Sequence, residues 1–198
     1  MKKSIRKFII IANFLFFFNC LFAQEQSDHT MDVFKLNLLS PGLSYEAAIL
    51  PKSTLHMDLF LASTFNNNNN TRNNNTKIFL DPKFDLAFRG YYNLKSRIAK
   101  QKRTVFNSAN YLALLTGSIY TKIPINTNGI LESKRRFVYH TGFAWGIQRN
   151  YSSLFSLDLN LGIGLFMGKQ HFKTGIQSGY VYAPAFISNL RLGFRLNQ

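Results

Sequence analysis

The chain has 198 residues, room for one domain, with 15% aromatic residues (20 Phe, 9 Tyr, one Trp) and a formal net charge of +15. Its one cysteine, Cys20, lies in the leader described below, which excludes a disulfide framework or a thiolate metal site from the mature chain. Lys and Arg are scattered or in short groups such as Lys100-Gln101-Lys102-Arg103 and Lys134-Arg135-Arg136. No zinc-finger or RNA-recognition motif accompanies them, so no nucleic-acid partner is expected.

Residues 1–23 read as a cleavable secretory signal peptide. Lys2, Lys3, Arg6 and Lys7 precede an apolar run over 8–18, and Leu21-Phe22-Ala23 ends on a small residue, placing cleavage after Ala23. The apolar run is interrupted by Asn13 and is short of the roughly 20 residues a spanning helix needs. A short polar linker, 24–32, follows, and 33–198 forms the remaining domain.

From residue 33 onward the chain shows period-two alternation broken by polar or glycine-bearing segments. Phe34, Leu36 and Leu38 flank Lys35 and Asn37. Leu43, Tyr45, Ala47 and Ile49 alternate with Ser44, Glu46 and Ala48. Leu55, Met57, Leu59 and Leu61 alternate with His56, Asp58, Phe60 and Ala62, and Phe84, Leu86 and Phe88 flank Asp85, Ala87 and Arg89. In 110–120 the leucines Leu112, Leu114 and Leu115 break phase, which predicts a bulge. Phe137, Tyr139, Thr141, Phe143, Trp145 and Ile147 alternate with Val138, His140, Gly142, Ala144, Gly146 and Gln148. The clearest strand is 155–167, with Phe155, Leu157, Leu159, Leu161, Ile163, Leu165 and Met167 on one face. Its other face carries Ser156, Asp158, Asn160, Gly162, Gly164 and Phe166. The last strand sets Phe186, Ser188, Leu190, Leu192, Phe194 and Leu196 against Ile187, Asn189, Arg191, Gly193 and Arg195.

Eight such segments predict an all-β, antiparallel, up-and-down transmembrane β-barrel of about eight strands, rather than a soluble sandwich. The apolar faces are long for a small sandwich core, and the opposite faces carry the small and polar residues of a narrow lumen. The polar segments 66–76, 122–134 and 168–178 are long, while the turns at Pro51-Lys52-Ser53 and Asn150-Tyr151-Ser152 are tight. A chain starting on the periplasmic side puts the long segments outside. Two connections depart from that rule: Ser40-Pro41-Gly42 is short on the outer side, and 96–104 is long on the inner side. At roughly 9–11 residues per crossing, eight strands fit, and their lumen is filled by side chains rather than open as a pore.

The run Lys35-Leu-Asn-Leu-Leu-Ser-Pro-Gly-Leu-Ser-Tyr-Glu46 resembles the opening hairpin of small outer-membrane β-barrel proteins of Bacteroidota. Phe88-Arg-Gly-Tyr-Tyr-Asn93 is similar to their Arg-Tyr-Tyr strand, and Leu161-Gly-Ile-Gly164 to their glycine-rich penultimate strand. The resemblance implies an outer-membrane location, with outer-membrane lipid and the barrel assembly machinery as partners, and no reaction. The family's assembly signal usually ends on an aromatic residue, whereas this chain continues past Phe194 to Arg195-Leu196-Asn197-Gln198.

Lys35, Glu46, Asp58, Asp85, Arg89, Asp158, Arg191 and Arg195 fall on predicted lumen faces and are read as a lumen charge network. His140 and His56 invite comparison with lipid-modifying barrel enzymes. His140-Thr141-Gly142 lacks the serine of their His-x-Ser pair, however, and no acid follows closely in that strand. No catalytic set, cofactor site or metal-ligand spacing is expected. The asparagine tract 66–75 reads as a tolerated loop tip. The leading expectation is a non-enzymatic envelope barrel acting structurally or through its external loops, whose surface ligand the sequence leaves unknown. The alternatives are a lipid-modifying barrel enzyme and a soluble periplasmic carrier, the latter with the inverse polarity.

Overall fold

Alternating segments become strands because an apolar side chain at every second position buries or exposes one whole face together. In the computed structural model, which describes residues 26–67, 76–125, 134–151, 154–171 and 178–196, eight strands form. They are β1 (Val33–Leu39), β2 (Gly42–Leu50), β3 (Ser53–Asn67), β4 (Thr76–Tyr91), β5 (Asn110–Thr121), β6 (Arg136–Asn150), β7 (Phe155–His171) and β8 (Ser178–Arg195). Each pairs antiparallel with its neighbours in sequence, and β8 returns to β1, closing an up-and-down barrel. The signal peptide 1–23, part of the asparagine tract (68–75) and the loop segments 126–133 and 172–177 lie outside the described residues.

The alternation places side chains as expected, with two departures. β5 carries no bulge: its register with β4 and β6 runs without a shift. Leu112 and Leu114 face outward while Leu115 points inside, against Ala87, Ala113, Ala144 and Ile187. What breaks the phase is an apolar patch on the interior wall. The register shifts fall instead in the shortest hairpin, between Asn37 and Leu39 against β8 and between Ala48 and Leu50 against β3.

The second departure is length. β4 and β8 begin well before their clearest alternation, at Thr76 and Ser178, across Pro82 and Pro184. Proline cannot donate to a ladder and is tolerated where one side of a strand is unpaired. Pairing of β4 with β5 stops at Lys83, just after Pro82. Pro184 lies where β8 pairs with β7, beyond the end of its pairing with β1 at Leu192.

The long 96–104 connection is a folded plug. Helix α1 (Leu94–Ala99) and a 3-10 turn (Val105–Asn107) close the end of the barrel at which β1 begins, here termed the proximal end. Residues 26–32 dock against it. Met31 N donates to Asn107 Oδ1 at 2.8 Å, Asn107 Nδ2 returns a bond to Met31 O at 2.8 Å, and Ser27 N donates to Thr104 Oγ1 at 2.7 Å. Inside, Gln148 Nε2 and Asn150 Nδ2 both donate to Phe106 O, and the Arg195 guanidinium stacks 3.4 Å from the Phe106 ring centre. On the plug's rim Arg97 donates to Arg103 O through Nε and Nη2, and partial burial draws its guanidinium below its usual pKa.

Candidate functional site

The barrel is polarised inside-out. Ile163, Phe143 and Tyr180 are 70%, 69% and 77% exposed on the outer wall. Among the described residues the interior holds the carboxylates Glu46, Asp58, Asp81, Asp85 and Asp158 and the cations Lys35, Lys83, Arg89, Arg191 and Arg195, all buried. The two sets are equal in number, so this wall of charge is close to neutral. An unpaired buried charge is costly, and the interior answers with ion pairs and hydrogen bonds.

Two centres organise it. In the first, Glu46 accepts from Thr54 Oγ1 (2.6 Å), Tyr91 OH (2.5 Å) and Gln148 Nε2 (3.0 Å), with Lys35 Nζ at 3.7 Å and Arg89 Nη1 at 3.9 Å. Arg89 bridges onward, with Nη2 2.8 Å from Asp158 Oδ2 and Nη1 donating to Gln148 Oε1 at 2.8 Å. Tyr111 lies under that guanidinium at 4.4 Å and donates its hydroxyl to Asp158 at 2.6 Å.

The second centre lies along one register row that crosses five strands. Ser44 pairs with Asp58, Asp58 with Asp85, Asp85 with Gly117 and Gly117 with His140. Two carboxylates opposite one another repel, and Arg191 offsets this by pairing with Asp58 while its Nη2 lies 3.6 Å from Asp85. Ser44 Oγ adds a bond to Asp58 at 2.7 Å, and Lys83 Nζ sits 3.1 Å from Asp85. His140 Nε2 reaches Asp85 Oδ1 at 3.0 Å across β5 because Gly117 stands between them without a side chain. A Cβ at Gly117 would lie 2.6 Å from both Asp85 Oδ1 and His140 Cε1.

All eight charged positions read from the sequence thus face the interior. Seven of them meet in these two centres, and Arg195, opposite Lys35 in the register, stacks on the plug at Phe106. Sequence reasoning missed the His140–Asp85 pair, because it sought an acid in the same strand and this one comes from β4. It also missed Lys83, and Asp81, which accepts from Thr64 (2.7 Å) and Thr121 (2.5 Å) and pairs with Arg135 Nε at 3.0 Å. Both follow the parity of Asp85 in β4, the signal that could have found them. His140 Nδ1 is buried without a hydrogen-bond partner, and its ring stacks on Phe166 at 5.3 Å. Among the described residues no serine or threonine hydroxyl hydrogen-bonds to the ring. Among the described residues no group of three or more His, Cys, Asp or Glu side chains is placed to hold a metal ion. No family model, curated protein or solved structure matches the chain.

Proposed function

We propose that this chain is an integral outer-membrane β-barrel of the small Bacteroidota type, exported by its leader, with a structural or surface-interaction role exercised at its distal loops. One observation carries the reading: a belt of exposed apolar side chains surrounds an interior filled with paired charge. A soluble carrier needs the opposite polarity, with an apolar cavity inside and polar residues outside. Exposed apolar surface on this scale is characteristic of a wall that faces hydrocarbon. Tyr120, Phe137, Tyr139, Tyr180 and Tyr182 toward the distal end, and Tyr92 and Trp145 toward the plug, fit the aromatic girdles at the two interfaces of such barrels. Trp145 Nε1 donates to Tyr92 OH at 2.8 Å, fixing both rings at the proximal girdle. The charged interior is packed with side chains and plugged at one end, so the reading excludes a solute pore and assigns the interior a scaffolding role. Outer-membrane lipid and the barrel assembly machinery are its partners under this reading.

The test is fractionation of cells expressing the full chain, followed by electrophoresis of unheated and heated samples. The reading expects recovery with the outer membrane and a mobility that changes on heating. Recovery in the soluble periplasmic fraction would overturn it.

A further inference from the structure

The barrel wall is not of even height. β1 and β2 have 7 and 9 residues and turn at Ser40 and Pro41, whereas β3 has 15 and β8 has 18. β1 pairs with β8 only up to Leu192, and β2 pairs with β3 only up to Phe60, with Leu61 N donating to Pro41 O at 2.9 Å as the last bond. Beyond those points, among the described residues, 178–190 of β8 and 62–67 of β3 have a paired strand on one side only. The short hairpin therefore leaves a notch in the wall.

The notch lies at the depth of the apolar belt. At about 3.3 Å per residue and a tilt near 40°, seven residues climb roughly 18 Å, short of the ~25 Å apolar band of a membrane barrel. The outward Phe186, Tyr182 and Tyr180 of β8 carry the belt on past the end of the hairpin.

Behind the notch is a cavity of about 490 Å³, within the range of small-molecule sites. Phe60, Ile119, Val138 and Phe166 line it from the interior, while Ser63 and Ser188, on outward parity, line it at the mouth. The cavity is thus continuous with the outer wall. Ile123, Pro124 and Ile125 fold inward on its distal side, pinned where Ile125 N donates to the buried Gln170 Oε1 at 2.6 Å.

Two physical demands meet there. The lining is mixed: Phe60, Ile119, Val138 and Phe166 favour hydrocarbon over water at membrane depth, while Lys83, Thr64, Thr121 and Asn189 add polar groups beside them. Backbone N–H and C=O groups on the two one-sided strand edges cost several kcal/mol each if hydrocarbon alone covers them. An occupant that supplies both a hydrocarbon chain and hydrogen-bonding groups meets both demands. Resting on the membrane reading above, we infer that the notch and cavity form a lateral binding site for one acyl chain of a membrane amphiphile. Its ester, amide or hydroxyl groups pair with the open edges of β3 and β8.

The test uses the full chain reconstituted in vesicles of a phospholipid bearing a diazirine in its acyl chain, with photolabelled residues mapped by peptide mass spectrometry. The inference expects label on interior Phe60, Ile119 and Phe166 as well as on outward Phe143 and Ile163. Ala185→Trp, which fills the cavity, should abolish the interior label and keep the outward label, the latter reporting insertion. Should that variant fail to insert, Ser63→Trp narrows the mouth from outside and should reduce the same interior label. Outward label with an unlabelled interior overturns the lateral site, as does interior label that survives in inserted forms of both variants. Absence of label on Phe143 and Ile163 in the parent chain overturns the membrane reading instead.

Discussion

The two ends of this barrel solve the same problem differently. At the proximal end every strand reaches the rim, and the opening is closed by α1, the 3-10 turn and residues 26–32, hydrogen-bonded to one another and to the strands. Toward the distal end one hairpin stops short, the wall opens and a cavity lies behind it. The proximal half is therefore over-determined, with Glu46 and Arg89 each meeting several partners. The distal half keeps open edges and space, and low local pairing is where binding elements are generally drawn from.

The largest effect that would break this contrast is expected at Arg89, which links Glu46, Asp158 and Gln148. Arg89→Ala leaves Asp158 buried without its main cation and Glu46 with Lys35 alone, and should cost about 3–5 kcal/mol. The measurement is the urea midpoint of refolding in detergent micelles, and an unchanged midpoint would show that water enters the proximal interior. On the outer wall, Ile163→Arg at the middle of the belt should cost about 2–4 kcal/mol in bilayers. The same substitution should be nearly neutral if that surface faces water, so refolding into vesicles discriminates the two.

A smaller effect sharpens the account of the second centre. Gly117→Ala inserts a methyl group between Asp85 and His140 and against Phe84 O, an overpacking expected to cost about 1–3 kcal/mol. The His140 ring signals in nuclear magnetic resonance spectra should shift with it. Smaller still, Asn107→Ala removes two hydrogen bonds between the plug and residues 26–32, worth about 1–2 kcal/mol together. Hydrogen exchange should accelerate at Met31 and leave β6 and β7 unchanged, because the loss is local to the plug.

Much of this architecture is legible in the sequence because side-chain parity is a local property. Alternation in 155–167 assigns Asp158 inward and Ile163 outward without knowledge of any neighbouring strand. The short Ser40-Pro41 turn is equally local, and it already foreshadows the notch. What alternation cannot supply is register. Asp85 reaches His140 only because Gly117 falls in the same row, a consequence of three strands and two turns together. In the sequence the plug shows only as a polar linker and a long loop, because its order comes from contacts such as Asn107 with Met31, 76 residues apart. The misread bulge in β5 has the same origin: Leu115 looks out of phase until the apolar interior patch it joins is known.

The inside-out polarity of the wall is the claim on which all else rests, and tryptophan quenching tests it most directly. The chain has one Trp, so Trp145→Phe combined with Ile163→Trp gives a single reporter at the middle of the belt. In vesicles of acyl-chain-brominated phospholipid, the account predicts strong quenching of that fluorescence by the lipid and little by aqueous iodide. Quenching by iodide with none from the brominated chains would contradict it.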